Sequence, residues 1–559
     1  MKRKMDELVR AYREFAESYR KFTEEVYAPF TMAQRRGVVF VNILFSLYVA
    51  VIVVLHSSTE HSARVAPFSA PLLLLVTYQG FKLFLLKHGT LRVYCSKERN
   101  KLSRKTFVVI STSLFVIYIL NLFAHYPGGI NPDTIDQWGQ AESGNYNNWH
   151  PAIHTMVIWL ITQILPMYSF FIGFQILIFS VLAGYMVTTL EAWGIRKRWI
   201  ILFLVAIVSH SSTRNYMLFP FKDTALTILL LGLTVCIVNI VLSNGKWLSN
   251  WLNITAIAII GALATVIRHN GLFFTIPLGI LLIICYVKVT RKVIFAVIIS
   301  TMMILGIIKV VYPLASVSYD EDQAYVETVG LPMTILSGAM ANNPEALDDR
   351  AREFLRKMAS DIEWKAFFEL GNYNSIKYRF KTNKFLAEIP PKELLHMTLR
   401  AIKSDPKSSL LNVIELTRMV WNPFDWQWGD GPSASYNKEE AIAVGIIVER
   451  HIVAMQPIIN ISRILYGFIN VGINMLIPTF MFSSIGLHML LLLFFGVFSV
   501  NRNLGAKALC LFLPSVLYNL GTMLLLSGPD YRFFHFNTVI TLPLIFALLA
   551  KGNISEGKE

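Results

Sequence analysis

The chain has 559 residues, 54% of them hydrophobic and only 16% charged, with a formal net charge of +15 and a mean hydropathy of +0.50. Soluble domains carry about 25% charged residues, so this composition excludes an ordinary soluble globule and points to a polytopic membrane protein. The cations lie in short segments between apolar runs rather than in one patch, which excludes nucleic-acid binding. The four cysteines (Cys95, Cys236, Cys285, Cys510) fall in spans or a basic loop and imply no disulfide framework.

In chain order, residues 1–37 read as a cytoplasmic amphipathic helix with no cleavable signal peptide, and Arg35-Arg36 place the N-terminus inside. Residues 38–311 form an N-terminal transmembrane module. Val38–Leu55 exits, Ala66–Leu86 returns to a basic loop, and Thr106–Ala124 exits into a first outer loop, residues 125–150. Pro151–Leu165 is expected to lie along the outer interface, because Met167–Leu190 must then bring Arg196-Lys197-Arg198 inside. Trp199–His210, Asp223–Leu242, Trp251–Ile267, Gly271–Tyr286 and Val293–Val311 alternate across the membrane. Residues 312–462 make a mainly helical extracytoplasmic domain. In the C-terminal module, 463–550, Arg463–Phe482 is read as partial, while Ser484–Val500, Ala506–Leu526 and Arg532–Ala550 cross; residues 551–559 are a cytoplasmic tail. The expectation is an all-α membrane protein of about twelve spans plus two interfacial or partial helices, each span near 20 residues. No inverted repeat is visible.

Five polar clusters interrupt the apolar runs, all assigned by this threading to the outer ends of helices. The first is Asn131-Pro132-Asp133-Thr134-Ile135-Asp136. Asp133 sits where a helix N-cap is expected, and capping is one reading of the pair. The other is general-base catalysis, since partial burial raises a carboxyl pKa towards the working pH and residues three apart share a helix face. Trp149-His150-Pro151 opens the next segment; His150 and His154 have metal-ligand spacing, but no third ligand is near in sequence, so phosphate contact or capping is preferred.

Lys222-Asp223 reads as an interfacial ion pair or a phosphate contact, and Arg268-His269-Asn270-Gly271 as a tight turn presenting its guanidinium outward for bidentate phosphate contact. Asp530-Tyr531-Arg532 is a similar case. In Trp421–Asp430, the tryptophans are either an interface belt or a platform for a sugar face, with Trp426, Trp428 and Asp425 or Asp430 as contacts. Asn253 and Asn553 stand in formal glycosylation sequons, but in a span and on the inner side.

Asp133-Thr-Ile-Asp136, His150-Pro151, Arg268-His-Asn270-Gly271 and Asp530-Tyr531-Arg532 resemble the GT-C superfamily. These are multi-spanning glycosyltransferases that use polyprenyl-phosphate-linked sugars, such as protein mannosyltransferases and the bacterial aminoarabinose transferase. The chain departs from that pattern with Asp136-Gln137 in place of an Asp-Glu pair and His-Pro-Ala in place of His-Pro-Pro, which leaves the identity of the catalytic acid open. The resemblance implies a lipid-phosphate sugar donor and a plasma-membrane enzyme acting on the outer face. Asp133 or Asp136 would be the base, inverting the anomeric carbon, with Asp133 preferred. His150, Lys222, Arg268, Asn270, Asp530 and Arg532 would meet the lipid phosphate. No cofactor is implied, and no ligand set supports a metal. The alternatives are a secondary transporter or flippase for an anionic lipid or solute, which would place charges near the bilayer midplane, and a non-catalytic assembly scaffold.

Overall fold

The structure, a computed structural model, describes residues 17, 43, 46–52, 93–94, 99–319, 321–377, 379–380, 385–386, 388–425, 437–476, 483–502 and 504–551. Six helices frame the polar end of the bundle and its neighbouring cavity. Helix α1 (Arg104–Ala124) starts at Ser103, whose hydroxyl accepts the Thr106 amide. Helix α2 (Pro132–Ser143) and α3 (Ala152–Thr162) follow, then α4 (Tyr168–Ala192), α5 (Lys222–Leu242) and α6 (Glu449–Leu476).

Seven helices among the described residues are long and apolar enough to cross a membrane: Arg104–Ala124, Tyr168–Ala192, Lys222–Leu242, Val287–Leu314, Glu449–Val471, Gly505–Met523 and Tyr531–Leu549. That corrects the expected count of about twelve. Trp199–His210 becomes the 13-residue helix Lys197–Ser209. Gly271–Tyr286 becomes Leu272–Cys285, 14 residues with Pro277 inside. Trp251–Ile267 and Ile485–Val500 are also among the shorter apolar helices. At about 1.5 Å per residue, 13–17 residues reach about 20–26 Å, short of a hydrocarbon core of about 30 Å.

Hydropathy alone misjudges these segments, because a helix buried among other helices is apolar all round without being long. Val38–Leu55 and Ala66–Leu86 fall largely outside the described residues. The 11-residue α3 is far too short to cross. Arg463–Phe482, expected to be a partial helix, is instead overlapped by the 28-residue α6, and the domain boundary drawn at 462/463 falls inside that helix.

Helix α1 packs on α4, α5 on Phe536–Leu549, Trp251–Ile267 on Thr290–Gly306, and Leu272–Cys285 on Leu509–Met523. One apolar cluster runs through all of them. The two ends of the bundle differ in charge. At one end the Asn100 amide donates to Ala192, Lys507 reaches Asn244 at 2.5 Å, and Lys292 reaches Ser249 at 3.1 Å. There too Val93–Tyr94 pairs in parallel with Ala550–Lys551. The other end carries the polar clusters.

Beside that end stands a helical region with its own core of Leu336, Met340, Leu355, Trp364, Tyr373, Leu394 and Met397. Its helices are capped locally. Asp348 accepts the Ala351 amide, Ser360 and Glu363 form a reciprocal capping box, and Asp405 accepts the Ser408 amide. The backbone of Tyr146 and Asn148 bonds Ser318, which ties the first loop to this region.

Candidate functional site

The site begins with how α2 starts. Its N-cap is Asn131, not Asp133: the Asn131 side chain accepts the Thr134 amide at 2.9 Å, and the Thr134 hydroxyl accepts the Asn131 amide at 2.9 Å. Pro132 fills the first helical position, where its missing N–H costs nothing. The capping reading of Asp133 is thereby corrected, and its carboxylate is left for other partners.

Those partners come from three other parts of the chain. Arg532 donates through Nη1 to Asp133 Oδ2 at 2.5 Å and through Nε to Asp530 Oδ2 at 2.7 Å. Asp530 also caps the Tyr531–Phe534 turn by accepting the Arg532 amide at 3.1 Å, so the arginine is fixed at both its backbone and its side chain. His150 Nε2 lies 4.0 Å from Asp133 Oδ1, and its Nδ1 is 2.5 Å from the Lys222 ammonium. An ammonium can only donate, so Nδ1 accepts and the ring proton sits on Nε2, facing Asp133. Among the described residues, no carboxylate lies within ion-pair distance of Lys222. It begins α5 and is hydrogen-bonded to the neutral His150 ring.

The electrostatics follow from this placement. Burial works to raise the Asp133 carboxyl, but Arg532, His150 and Lys222 outweigh it and hold the group well below the usual carboxylate range. Burial, reinforced by Lys222, pushes His150 well below the ordinary histidine value, and Asp133 opposes this only in part. Asp136, an exposed residue one turn further along α2, goes the other way. Burial of its carboxyl raises it, the 2.7 Å bond from Gln140 Nε2 lowers it, and the negative Asp133 raises it again. Gln140 is itself held by accepting the Asn147 amide at 3.0 Å.

Arg268 does not face outward as the sequence suggested. It is 6% exposed, paired through Nη1 with Asp223 Oδ1, and stacked 4.2 Å from the Phe533 ring centroid. Asp223, expected to pair with Lys222, belongs to Arg268 instead. The turn that presents Arg268 needs Gly271, because a Cβ there would collide with the Ala264 carbonyl. Asn270 reaches Thr522 Oγ1 at 3.4 Å and ties the turn to the Leu509–Met523 helix. His154 bonds Gln137 at 3.0 Å and packs on Phe171. Among the described residues, no group of three or more His, Cys, Asp or Glu is placed to hold a metal ion.

Trp426, Trp428 and Asp430 lie outside the described residues. Asp425 is 6% exposed and accepts from Arg418 Nε at 2.9 Å, so it serves that arginine and not a sugar hydroxyl. Two features escaped the sequence reading. Gln140 positions Asp136, and its only signal was the i+4 spacing. The rings of Phe221 and Phe533 lie 5.7 and 5.3 Å from the Arg532 guanidinium, a contact foreshadowed by aromatic residues next to Lys222 and Arg532 in sequence.

The structure thus brings Asp133, Asp136, His150, Lys222, Asp530 and Arg532 into one cluster, with the Arg268–Asp223 pair close by. Comparison of the chain with protein-family models, curated proteins and solved structures finds no match.

Proposed function

We propose that this protein is an integral membrane glycosyltransferase that moves a sugar from a polyprenyl-phosphate-linked donor to an acceptor hydroxyl at the outer face. One observation supports it above the others: a partly buried carboxyl with a raised pKa, Asp136, sits one helical turn from a carboxylate held ionised among Arg532, His150 and Lys222. Two neighbouring acids driven apart in pKa are the usual arrangement for dividing acid–base and electrostatic work. On this reading Asp136 takes the proton of the acceptor hydroxyl as its oxygen attacks the anomeric carbon. The bond from that carbon to the phosphate oxygen breaks with inversion, and the lipid phosphate leaves as an anion. Lys222, which has no carboxylate within ion-pair distance among the described residues, meets that phosphate, and Arg532 exchanges part of its contact with Asp133 for it.

The outer location rests on charge. Arg196-Lys197-Arg198, Lys246, Lys292 and Lys507 lie at the opposite end of the bundle, and on this reading that cationic end is the cytoplasmic one. A transporter or flippase would place its charged groups near the middle of the spans, whereas these lie at helix ends. The test uses the full chain in lipid nanodiscs with a panel of polyprenyl-phosphate sugars. Wild type should consume one of them, and Asp136→Asn and Lys222→Ala should not. Movement of fluorescent anionic lipid across reconstituted vesicles, with no donor consumed, would replace this reading by the flippase.

A further inference from the structure

A cavity lies on the far side of the loop that leads into α2. It has a volume of roughly 680 Å³ and is walled by residues 124–130, by the turn carrying Asn215, Leu218 and Phe219, and by one face of α6 bearing Arg463, Tyr466, Gly467 and Asn470. Its wall is tied together by hydrogen bonds: the Gly129 amide donates to Leu218 at 2.9 Å, and the Tyr168 hydroxyl donates to Gly129 at 2.5 Å.

Three observations say what fits there. The first is charge. Arg214, 1% exposed, donates to the Tyr466 hydroxyl at 2.9 Å, to Asn470 Oδ1 at 2.5 Å and to the Val208 carbonyl, all neutral acceptors. Arg463 is exposed and gives its Nε–H to the Ala124 carbonyl at 3.1 Å. Neither arginine has a carboxylate partner among the described residues. A buried guanidinium held only by dipoles is costly, and its field runs into the cavity that Tyr466 and Asn470 line, favouring an anion there.

The second is the neighbouring surface. Ile464, Phe468 and Val471 are 62%, 75% and 54% exposed on the adjoining face of α6, an apolar stripe next to the cavity mouth on a helix able to span a membrane. The third is position. The wall ends at Ile130, three residues before Asp133, and Phe219 stacks with centroids 4.9 Å apart on Phe221, which also neighbours Arg532. An occupant of the cavity is separated from the acid cluster by one loop and one pair of rings.

We propose that this cavity holds a membrane lipid with an anionic phosphate head group, and that the acceptor of the transfer is such a lipid rather than a protein or a soluble glycan. The binding part stands on the cavity alone; the acceptor part rests on the reaction proposed above.

The two parts are tested separately on the full chain in detergent. Native mass spectrometry with added phosphatidylglycerol or phosphatidylcholine should show a preference for the anionic lipid. Arg463→Gln should cut that preference by about tenfold, the loss of one charge-assisted contact. Gly467→Phe should abolish it, since a Cβ at Gly467 meets nothing within 4 Å and the ring can enter the cavity without disturbing the fold. Equal binding of the two lipids, or indifference to both substitutions, overturns the site. Displacement by millimolar inorganic phosphate would make it a soluble-anion site and overturn the lipid.

For the acceptor, a donor that wild type uses should still be cleaved by water in Gly467→Phe while transfer onto phosphatidylglycerol is lost. Transfer that persists, or loss of both reactions, overturns the acceptor assignment. A wild type that uses no lipid-phosphate sugar sinks the transferase reading, and the acceptor with it, while the mass spectra still decide the lipid site.

Discussion

Asp133 and Arg532 stand 399 residues apart in the chain and meet at 2.5 Å, joining the start of α2 to the turn before the last membrane helix. The contact is half-shielded, with side-chain exposures of 30% and 25%, and the arginine shares itself with Asp530. It closes the polar end of the bundle, and four predictions start from it or its neighbours.

If the pair acts as a unit, Asp133→Asn and Arg532→Gln will not be additive. A double-mutant cycle on thermal stability in detergent should give a coupling of about 0.5–3 kcal/mol, the range for residues in contact. Strict additivity would mean that each group is held by its other partners alone.

Asp136 as base predicts a distinctive pH profile. A base works only when deprotonated, so transfer should fall as pH drops through a value above the ordinary aspartate pKa. Because negative Asp133 contributes to that elevation, Asp133→Asn should move the acid limb to lower pH, besides any loss of rate. Asp136→Asn should cost about 10²–10⁴-fold and remove the limb. An acid limb that ignores Asp133→Asn would take Asp136 out of the base role.

His150 and Asp133 both make stability fall as pH falls, but in different windows. The His150 pKa is lower folded than unfolded, so the unfolded chain binds the proton first and stability declines as pH falls below the unfolded value of about 6.5. Asp133, also depressed, keeps its contribution until pH falls below the unfolded carboxyl value of about 3.9. Melting followed between pH 7 and 5 should therefore be less steep in His150→Gln than in wild type. The difference is at most about 1.4 kcal/mol per pH unit for one proton. Identical slopes would show that folding leaves the His150 pKa unshifted.

Arg268 now predicts stability, not donor affinity. With Asp223 buried against it, Asp223→Ala leaves a buried guanidinium unpaired and should cost about 3–5 kcal/mol. Folded yield and melting temperature should drop in both Asp223→Ala and Arg268→Ala. Normal stability with a raised donor KM would return Arg268 to the phosphate site.

Topology is checked by impermeant labelling of single cysteines in intact cells, with the four native cysteines replaced. Glu142→Cys and Asn145→Cys, exposed near the acid cluster, should react, and Arg196→Cys and Ala506→Cys, exposed at the basic end, should be protected. Labelling of Ala506→Cys would turn the bundle's charge argument over.

The amino-acid sequence by itself determined the class of the protein and the inventory of its site. Low charge, long apolar runs and cations confined to short loops are local properties, written wherever a helix meets lipid or a loop stays inside. For the same reason Asp133, His150, Lys222 and Arg532 stood out: charge beside apolar runs is visible without a fold. Only the tertiary structure decided how many helices are long enough to span, because burial by protein and burial by lipid look alike in hydropathy.

It also decided the partners. Asp223 went to Arg268 and not to adjacent Lys222, Asn131 took the cap that Asp133 seemed to hold, and Asp133 was tied to Arg532. Pairing energies depend on distances of a few ångströms between atoms hundreds of residues apart. That distance is set by how α1, α4, α5 and the last helix pack, and no local run of residues encodes it.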